Sequence, residues 1–422
     1  MLRQLGAVAA TWASLAVRVV ADCKNIAPLG FPQAAPGVRF KVLANDLYNP
    51  RQLIFDVESN ILLVEQGRGI RRIVLDDGDG IDVGIENSSV IIENPDLTHS
   101  LALCNDGKSL LASSDTEVIC YNYSATEGWM QMPTAVITGM APGGDHRTRT
   151  LLVPPQNPSR LIVAHGSISN VDEAAYNVSS GRSQIRIFHH DEFLTLGSAS
   201  FTEVGEPYAR GLRNVVGLGE DPSTGWIWSV ENSMDHFQRF GEDVHGDNPG
   251  DELNFHGIPD ETSSEYGKHF GYPDCVAIWD PSSVNLYNDA QTGKQMSGSH
   301  SKEVVSDDEC QVLFVPPKLT FGAHQSPLDI TFLNDGSAAL VAFHGSWNRD
   351  VPTGFRLSKI PFSNGMPVAD STSKNAEAPL LWNRYMDKCP DDCFRPVSIA
   401  VDKKGRVFMT SDSTGELYVL EV

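Results

Sequence analysis

Basic residues are scarce in this 422-residue chain: Lys and Arg number 32 against 54 Asp and Glu, a formal net charge of −22. A surface of that sign repels phosphate backbones and anionic bilayers, which excludes nucleic acids and membranes as partners and suits a sugar or a metal ion. It is also what solubility alone would give an exported protein. Apolar runs long enough to cross a bilayer, about 20 residues, are absent. No Cys-x-x-Cys pair occurs with a Cys–His set, so a zinc finger or ribbon is excluded. Long stretches of helical periodicity are missing, as are low-complexity linkers and any sign of a second domain.

What is plentiful is glycine (36) and proline (25), beside a 41% hydrophobic content, a balance that favours many turns and short strands around a real core. The amino terminus reads as a secretory signal over residues 1–21. Arg3 gives the positive start, Leu5 to Val17 the apolar stretch, and Val19-Val20-Ala21 a small-residue cleavage site before Asp22. Export is therefore expected, with residues 22–422 as the mature single domain. All seven cysteines follow the proposed cut. Local proximity pairs Cys104 with Cys120, Cys275 with Cys310 and Cys389 with Cys393, leaving Cys23 over, although spacing alone does not fix connectivity. Acceptor sequons begin at Asn87, Asn122 and Asn177, each in a stretch that reads as a polar turn.

One unit recurs: a short apolar strand, a polar turn, and a second strand that climbs to a cluster rich in Glu, His, Ser and Asp. Its copies are Gln52–Asp56 with Ile61–Glu65, Leu101–Leu103 with Ser109–Ser113, Thr150–Val153 with Leu161–His165, Val215–Leu218 with Ile227–Glu231, Asp329–Phe332 with Ala339–His344, and Val397–Ala400 with Val407–Asp412. Six hairpins at such intervals predict an all-β, six-bladed β-propeller. Two β-sandwiches are the alternative, but they would not place a polar cluster after the second strand of every unit. The span from Asn232 to Gln325 is too long for a plain connection and predicts a long insertion after blade four that builds one face of the propeller.

Several polar residues fall shortly before an innermost strand: His99, His146, Arg213-Asn214, His324 and Arg395. Taken singly, the Asp145-His146 pair is more often a surface turn and the Arg213-Asn214 pair more often a structural cap. Together they should converge on one mouth of the central channel, where several guanidinium groups imply a polyanionic ligand. His146 beside Asp145 is a candidate general base. The corner at Ser233-Met234, with the acidic run through Asp251, suits a hard cation such as calcium through carbonyl oxygens, or is merely a solvated loop. His344, Trp347 and Arg349 form a rim able to stack on a flat ligand or a sugar ring.

The segments Arg213-Asn214-Val215-Val216-Gly217-Leu218, Asp251-Glu252-Leu253-Asn254 with Phe270-Gly271-Tyr272-Pro273, and Ala342-Phe343-His344-Gly345-Ser346-Trp347-Asn348-Arg349 resemble the soluble quinoprotein glucose and sorbosone dehydrogenases. The leader, the sequons and the departures from the bacterial pattern look most like the fungal pyrroloquinoline quinone (PQQ)-dependent pyranose dehydrogenases. The resemblance runs from about Val38 to Val422. It implies a six-bladed propeller that binds PQQ and Ca²⁺ and oxidises a pyranose, with His146 (following Asp145) as catalytic base. It implies Arg213, Asn214 and Arg395 at the quinone and the backbone carbonyls of Ser233 and Met234 at calcium. His344 replaces a lysine of the bacterial glucose enzymes, with Arg349 as the substitute partner of that quinone group. His99 and Trp347 complete the expected cofactor set; Asp251 and His324 are expected to face the sugar. Electrons would pass to an external acceptor such as a cytochrome or a copper oxygenase, and the chain is expected to act as a monomer. A calcium-dependent lactonase or esterase and a non-enzymatic sugar-binding propeller share the fold class and remain alternatives.

Overall fold

The second strand of each expected hairpin is apolar almost throughout instead of alternating, which is the pattern of a strand covered on both faces. In the computed structural model these strands are buried along their whole length, as in Ile61–Glu65, Ile227–Glu231, Ala338–Phe343 and Val407–Ser411. The structure describes residues 26–422 except 77, 105, 131–132, 196, 285–288 and 299–304. The expected signal segment and Cys23 lie outside the described residues.

All six hairpins form, each antiparallel and each at the start of its own sheet. Blade one is Pro50–Phe55, Ile61–Glu65, Gly69–Leu75 and Ile85–Glu93 in simple meander order. Blade six is closed by an amino-terminal strand: Arg39–Ala44 pairs antiparallel with Glu416–Glu421, so the last sheet is made from both regions of the chain. Six apolar clusters fill the six seams. Leu62, Val64, Leu110 and Ala112 join blades one and two; Leu111, Leu151, Val163 and Phe188 join two and three; Ile162, Ile185, Val215 and Ile227 join three and four. Trp228, Val230, Ile330 and Val341 join four and five; Leu340, Leu357, Ile399 and Tyr418 join five and six; Phe408, Leu417, Leu53 and Leu63 close the ring.

The innermost strands face the channel with no further strand to pair with, and side chains take over that role. Gln52 accepts from Leu101 N (2.7 Å), Ser100 Oγ from Leu151 N (2.8 Å), Ser398 Oγ from Leu53 N (3.2 Å), and Asp329 Oδ2 from Ile399 N (2.8 Å). Thr150 Oγ1 donates to Val216 O (2.7 Å). Between blades four and five the strands instead come together closely at Gly217, where a Cβ would lie 2.7 Å from the Cα of Asp329.

The long insertion is inside blade four and not after it. Glu252–Gly257 and Leu319–Thr320 are that blade's third and fourth strands, so the sequence reading joined two excursions, 232–251 and 258–318, into one. They share a core of Met234, Phe237, Tyr272, Val276, Ile278 and Met296. The disulfide Cys275–Cys310 staples the second excursion, and Cys389–Cys393 lies before blade six. Cys104 and Cys120 are free. They lie on the first and third strands of blade two with Ser109–Ser114 between them, and two strand spacings, about 9.5 Å, exceed the Cα separation a disulfide allows. Asn87 and Asn122 lie within strands, not turns, and Asn177 caps a short 3₁₀ turn; all three side chains are exposed.

Candidate active site

In every blade the start of the first strand lies opposite the end of the second: Pro50 faces Glu65, Leu97 faces Ser114, Arg149 faces His165, Val215 faces Glu231, Pro327 faces Phe343 and Pro396 faces Ser411. Residues just before a first strand and just after a second therefore gather at one end of the channel. This is the physical basis for the convergence expected of His99, His146, Arg213, Asn214, His324, His344 and Arg395.

His146 is buried, with only 9% of its surface exposed. Its Nδ1 lies 2.8 Å from the carbonyl oxygen of Ser167 and 3.0 Å from the Ser167 hydroxyl. That hydroxyl gives its own proton to Ser169 O at 2.8 Å, so both oxygens facing the ring accept, and the ring must carry its proton on Nδ1. Nε2 is left with the lone pair. Burial, reinforced by the nearby Arg213 charge, holds the imidazole down to about 3, so it is neutral at physiological pH. Gly166 keeps the space beside this ring clear: a Cβ there would lie 2.9 Å from Asn214 Oδ1 and 3.3 Å from His146 Cβ. Asp145 does not take part as expected. Its side chain is exposed and its amide donates to Ile168 O at 2.9 Å, because Gly144 turns the chain with φ +76°. The partner that orients His146 is Ser167, which the sequence reading did not single out.

Arg213 is 2% exposed and holds the 232–235 corner. Its Nη1 donates to Ser233 O at 2.5 Å and its Nη2 to Asp235 Oδ2 at 2.6 Å, while Asn170 accepts from both Nε and Nη2. Met234 anchors the corner by burying its side chain in the insertion core. Asp251 braces it from below, accepting from Ser233 N at 3.0 Å and Ser326 N at 2.8 Å. Burial pushes the Asp251 carboxyl up to about 7. Asp251, expected at the sugar, is thus a buried support for the loop with both carboxylate oxygens engaged. Asn214 Oδ1 is buried and unpartnered.

A second group comes from blades one, five and six. His344 Nε2 lies 2.9 Å from Asp412 Oδ1, and Arg51 Nη1 donates to Asp412 Oδ2 at 2.8 Å. Arg395 donates to His344 O (3.2 Å) and Gly345 O (2.9 Å). Burial is the largest influence on Asp412, yet the charges of His344, Arg51 and Arg395 outweigh it and hold this carboxylate far below its usual range. His99 is buried against Arg51 and Val216, with Nδ1 unpartnered and its basicity lowered mainly by burial. Arg51 and Asp412 were missed from sequence. Position could have found them, since Arg51 opens blade one and Asp412 follows the second strand of blade six.

Trp347 and Arg349 do not join this group. Trp347 is 65% exposed and meets His236 edge-on, with ring centroids 6.2 Å apart. Arg349 lies 3.5 Å from Asp247, and His324 Nε2 is 2.6 Å from His245 O. All three lie against the first excursion of blade four, Trp347 exposed and His324 buried.

A family model described as TrAA12-like matches residues 32–422. The chain belongs to the TrAA12-like family. Within it, the pyrroloquinoline quinone-dependent sugar dehydrogenase of Hypocrea jecorina is 39% identical over 392 residues, covering 92% of this chain and 89% of that protein. The calcium structure of a Trichoderma reesei carbohydrate-active enzyme of family AA12 superposes with a TM-score of 0.91 at 38% identity, covering 94% of this chain and 98% of that one. The pyrroloquinoline quinone-dependent pyranose dehydrogenase of Coprinopsis cinerea is 31% identical over 405 residues; the match covers 92% of this chain but only 54% of that longer protein. The holo form of a pyranose dehydrogenase PQQ domain from the same organism superposes with a TM-score of 0.85 at 30% identity, covering 94% of this chain and 98% of that one. The resemblance read from the sequence therefore holds at the level of family and fold.

Proposed function

We propose that this protein is a PQQ-dependent dehydrogenase that oxidises a pyranose at its anomeric carbon. The observation that carries the reading is the neutral His146, proton fixed on Nδ1 and lone pair on Nε2, at the same channel end as the cations Arg51, Arg213 and Arg395. A planar tricarboxylate fits that end. The guanidinium groups of Arg51 and Arg395 suit its carboxylates, and the orphaned His99 Nδ1 and Asn214 Oδ1 are polar atoms in want of a partner. When bound, PQQ supplies the acceptor for the two electrons of the sugar C–H bond. The chain's own part is to take the hydroxyl proton on His146 Nε2, keep the ring in one tautomer through Ser167, and balance charge through Arg51 and Arg395.

Calcium fits less completely. The Ser233 and Met234 carbonyls are hard oxygen donors of the right kind. Ser233 O, however, already accepts from Arg213 Nη1, so a cation there would share that oxygen with a guanidinium charge close by. Among the described residues no three His, Cys, Asp or Glu side chains converge as a metal site. Calcium is therefore proposed only as a ligand of this corner. Export, glycans on the exposed Asn87, Asn122 and Asn177, action as a monomer, and transfer of electrons to a separate cytochrome or copper oxygenase complete the proposal.

The test is dye reduction by the apoprotein with a panel of pyranoses, with and without PQQ and Ca²⁺. Reduction that needs added PQQ is expected. Ester or lactone hydrolysis without quinone would replace this reading with the hydrolase one; sugar binding with no dye reduction would replace it with the binding-module one.

A further inference from the structure

Arg149, the first residue of the inner strand of blade three, is 0% exposed, which is a costly place for a guanidinium. Each of its side-chain hydrogen bonds leads back, directly or through Asp115, to the loop that carries His146. Nη1 donates to His146 O at 2.8 Å and to Thr148 O at 2.9 Å. Nη2 donates to Ala141 O at 2.9 Å and to Asp115 Oδ1 at 2.8 Å. Asp115 belongs to the turn after the second strand of blade two, and its Oδ2 accepts from Gly143 N at 2.8 Å. The loop 141–149 is thus gripped at Ala141, Gly143, His146 and Thr148 by one ion pair that spans two blades. His165 adds a grip from below, with Nε2 3.1 Å from Ala141 O.

Rotation of the His146 ring is already fixed by Ser167. What Ser167 does not fix is where the main chain of residue 146 sits, and hence where Nε2 stands. We infer that the buried Asp115–Arg149 pair is a positioning element for His146: it sets the main-chain position of the candidate base through the His146 carbonyl. This rests on the reading of His146 as the base. The fork geometry matters more than the charge, because four acceptors in different directions are met by one planar group. Burial brings the Arg149 guanidinium down to about 10, so it remains protonated at neutral pH. Arg147 makes the contrast. It also approaches Asp115, at 3.5 Å, but its side chain is 62% exposed, and an exposed pair of this kind contributes little.

The experiment compares Arg149→Lys, Asp115→Asn, Arg147→Ala and His146→Ala in the PQQ-loaded enzyme, with PQQ affinity and melting temperature measured alongside. Since misplacement of a reacting group by about 1 Å can cost on the order of 10²-fold, Arg149→Lys and Asp115→Asn are expected to lower kcat about 10- to 100-fold. KM and the PQQ dissociation constant should stay within about threefold, and Arg147→Ala should stay within about twofold in every measure. A second readout is independent of turnover: long-range ¹H–¹⁵N correlation spectra of the apoprotein labelled at histidine. Wild type should show His146 as a single tautomer protonated at Nδ1, and Arg149→Lys should shift or broaden that signal. A folded Arg149→Lys with normal kcat and an unmoved His146 signal overturns the inference while leaving the base assignment intact. Full turnover in His146→Ala instead overturns the base assignment, and the spectra then still report whether Arg149 positions the ring. Should Arg149→Lys not fold, Asp115→Asn carries the same comparison.

Discussion

Ser167 accepts the Nδ1 proton of His146 twice, through its main-chain carbonyl at 2.8 Å and its hydroxyl at 3.0 Å. A carbonyl cannot donate, so this contact admits only one tautomer. The candidate base is then oriented by main-chain geometry and not by a neighbouring carboxylate. His146→Ala should therefore lose about 10²–10⁴-fold in turnover. Ser167→Ala keeps the carbonyl and should lose less than about 10-fold. Steady-state kinetics with saturating PQQ check both, and comparable losses in the two variants would contradict the carbonyl's dominance. Because His146 is held down to about 3 and acts unprotonated, its own titration should not limit turnover until pH falls toward that value.

Arg51 is the test of the cationic end of the channel. It is buried, bonded to Asp412, and has an Nε with no partner. Arg51→Ala should weaken PQQ binding by about 10- to 100-fold, the loss of one to two charge-assisted hydrogen bonds. Titration of the apoprotein with PQQ, followed by quenching of tryptophan fluorescence, measures it. An unchanged dissociation constant would remove Arg51 from the cofactor site.

The hairpins were legible because stacking both faces of each blade forces unbroken apolar second strands, as in Ala338–Phe343. The positions of His99, His146, Arg213, His344 and Arg395 were legible for a related reason: an antiparallel hairpin puts the start of one strand beside the end of the next. What stayed hidden was the choice of partner. Asp145 is adjacent to His146 in sequence, yet the turn at Gly144 sends its side chain outward, and the true partner comes from 21 residues away. Nothing in the sequence sets Arg149 apart, because Asp115, which pairs with it, belongs to another blade. Cys104 and Cys120 are near in sequence but a whole strand intervenes. Blade four was misjudged because Glu252–Gly257 sits between two excursions and carries polar residues that mask its strand character.

The thiols of Cys104 and Cys120 give a chemical check on that topology. Burial pushes Cys104 up to about 12 and raises Cys120 as well, so neither is a useful nucleophile near neutrality. Iodoacetamide at pH 7.5 should leave both peptides unlabelled in the folded protein and label both in guanidinium, as read by peptide mass mapping. A Cys104–Cys120 disulfide peptide in non-reducing digests would contradict the strand order of blade two.

Asp329 ties blade five to blade six through the channel. Its Oδ2 accepts from Ser398 Oγ at 2.7 Å and Ile399 N at 2.8 Å, and its Oδ1 from Ile330 N at 2.9 Å. Asp329→Ala would leave buried donors without acceptors and should destabilise by about 2–4 kcal/mol. Denaturant unfolding measures the loss, and a change below about 0.5 kcal/mol would mean that the seam cluster alone holds these blades together.

His256 separates the acid sensitivity of the fold from that of the site. It lies on the third strand of blade four, with Nε2 2.8 Å from Ser229 Oγ, and burial lowers it from 6.5 to about 3. Between those two values the unfolded chain binds a proton there and the folded protein does not. The stabilisation from the neutral buried ring is therefore fully present above about pH 6.5 and is lost progressively as pH falls toward 3. His256→Gln removes the titrating group. The stability difference, wild type minus variant, should fall by about 1.4 kcal/mol for each unit of pH from 6 to 4, the slope of one proton. Asp251, pushed up to about 7 by burial, acts in the opposite direction: its folded form keeps a proton, and that contribution is lost as pH rises from 3.8 toward 7. Asp251 is unchanged in His256→Gln, so its influence cancels in the difference. Urea unfolding at pH 4, 5 and 6 supplies the slope, and a difference independent of pH would show that His256 is already charged in the folded protein.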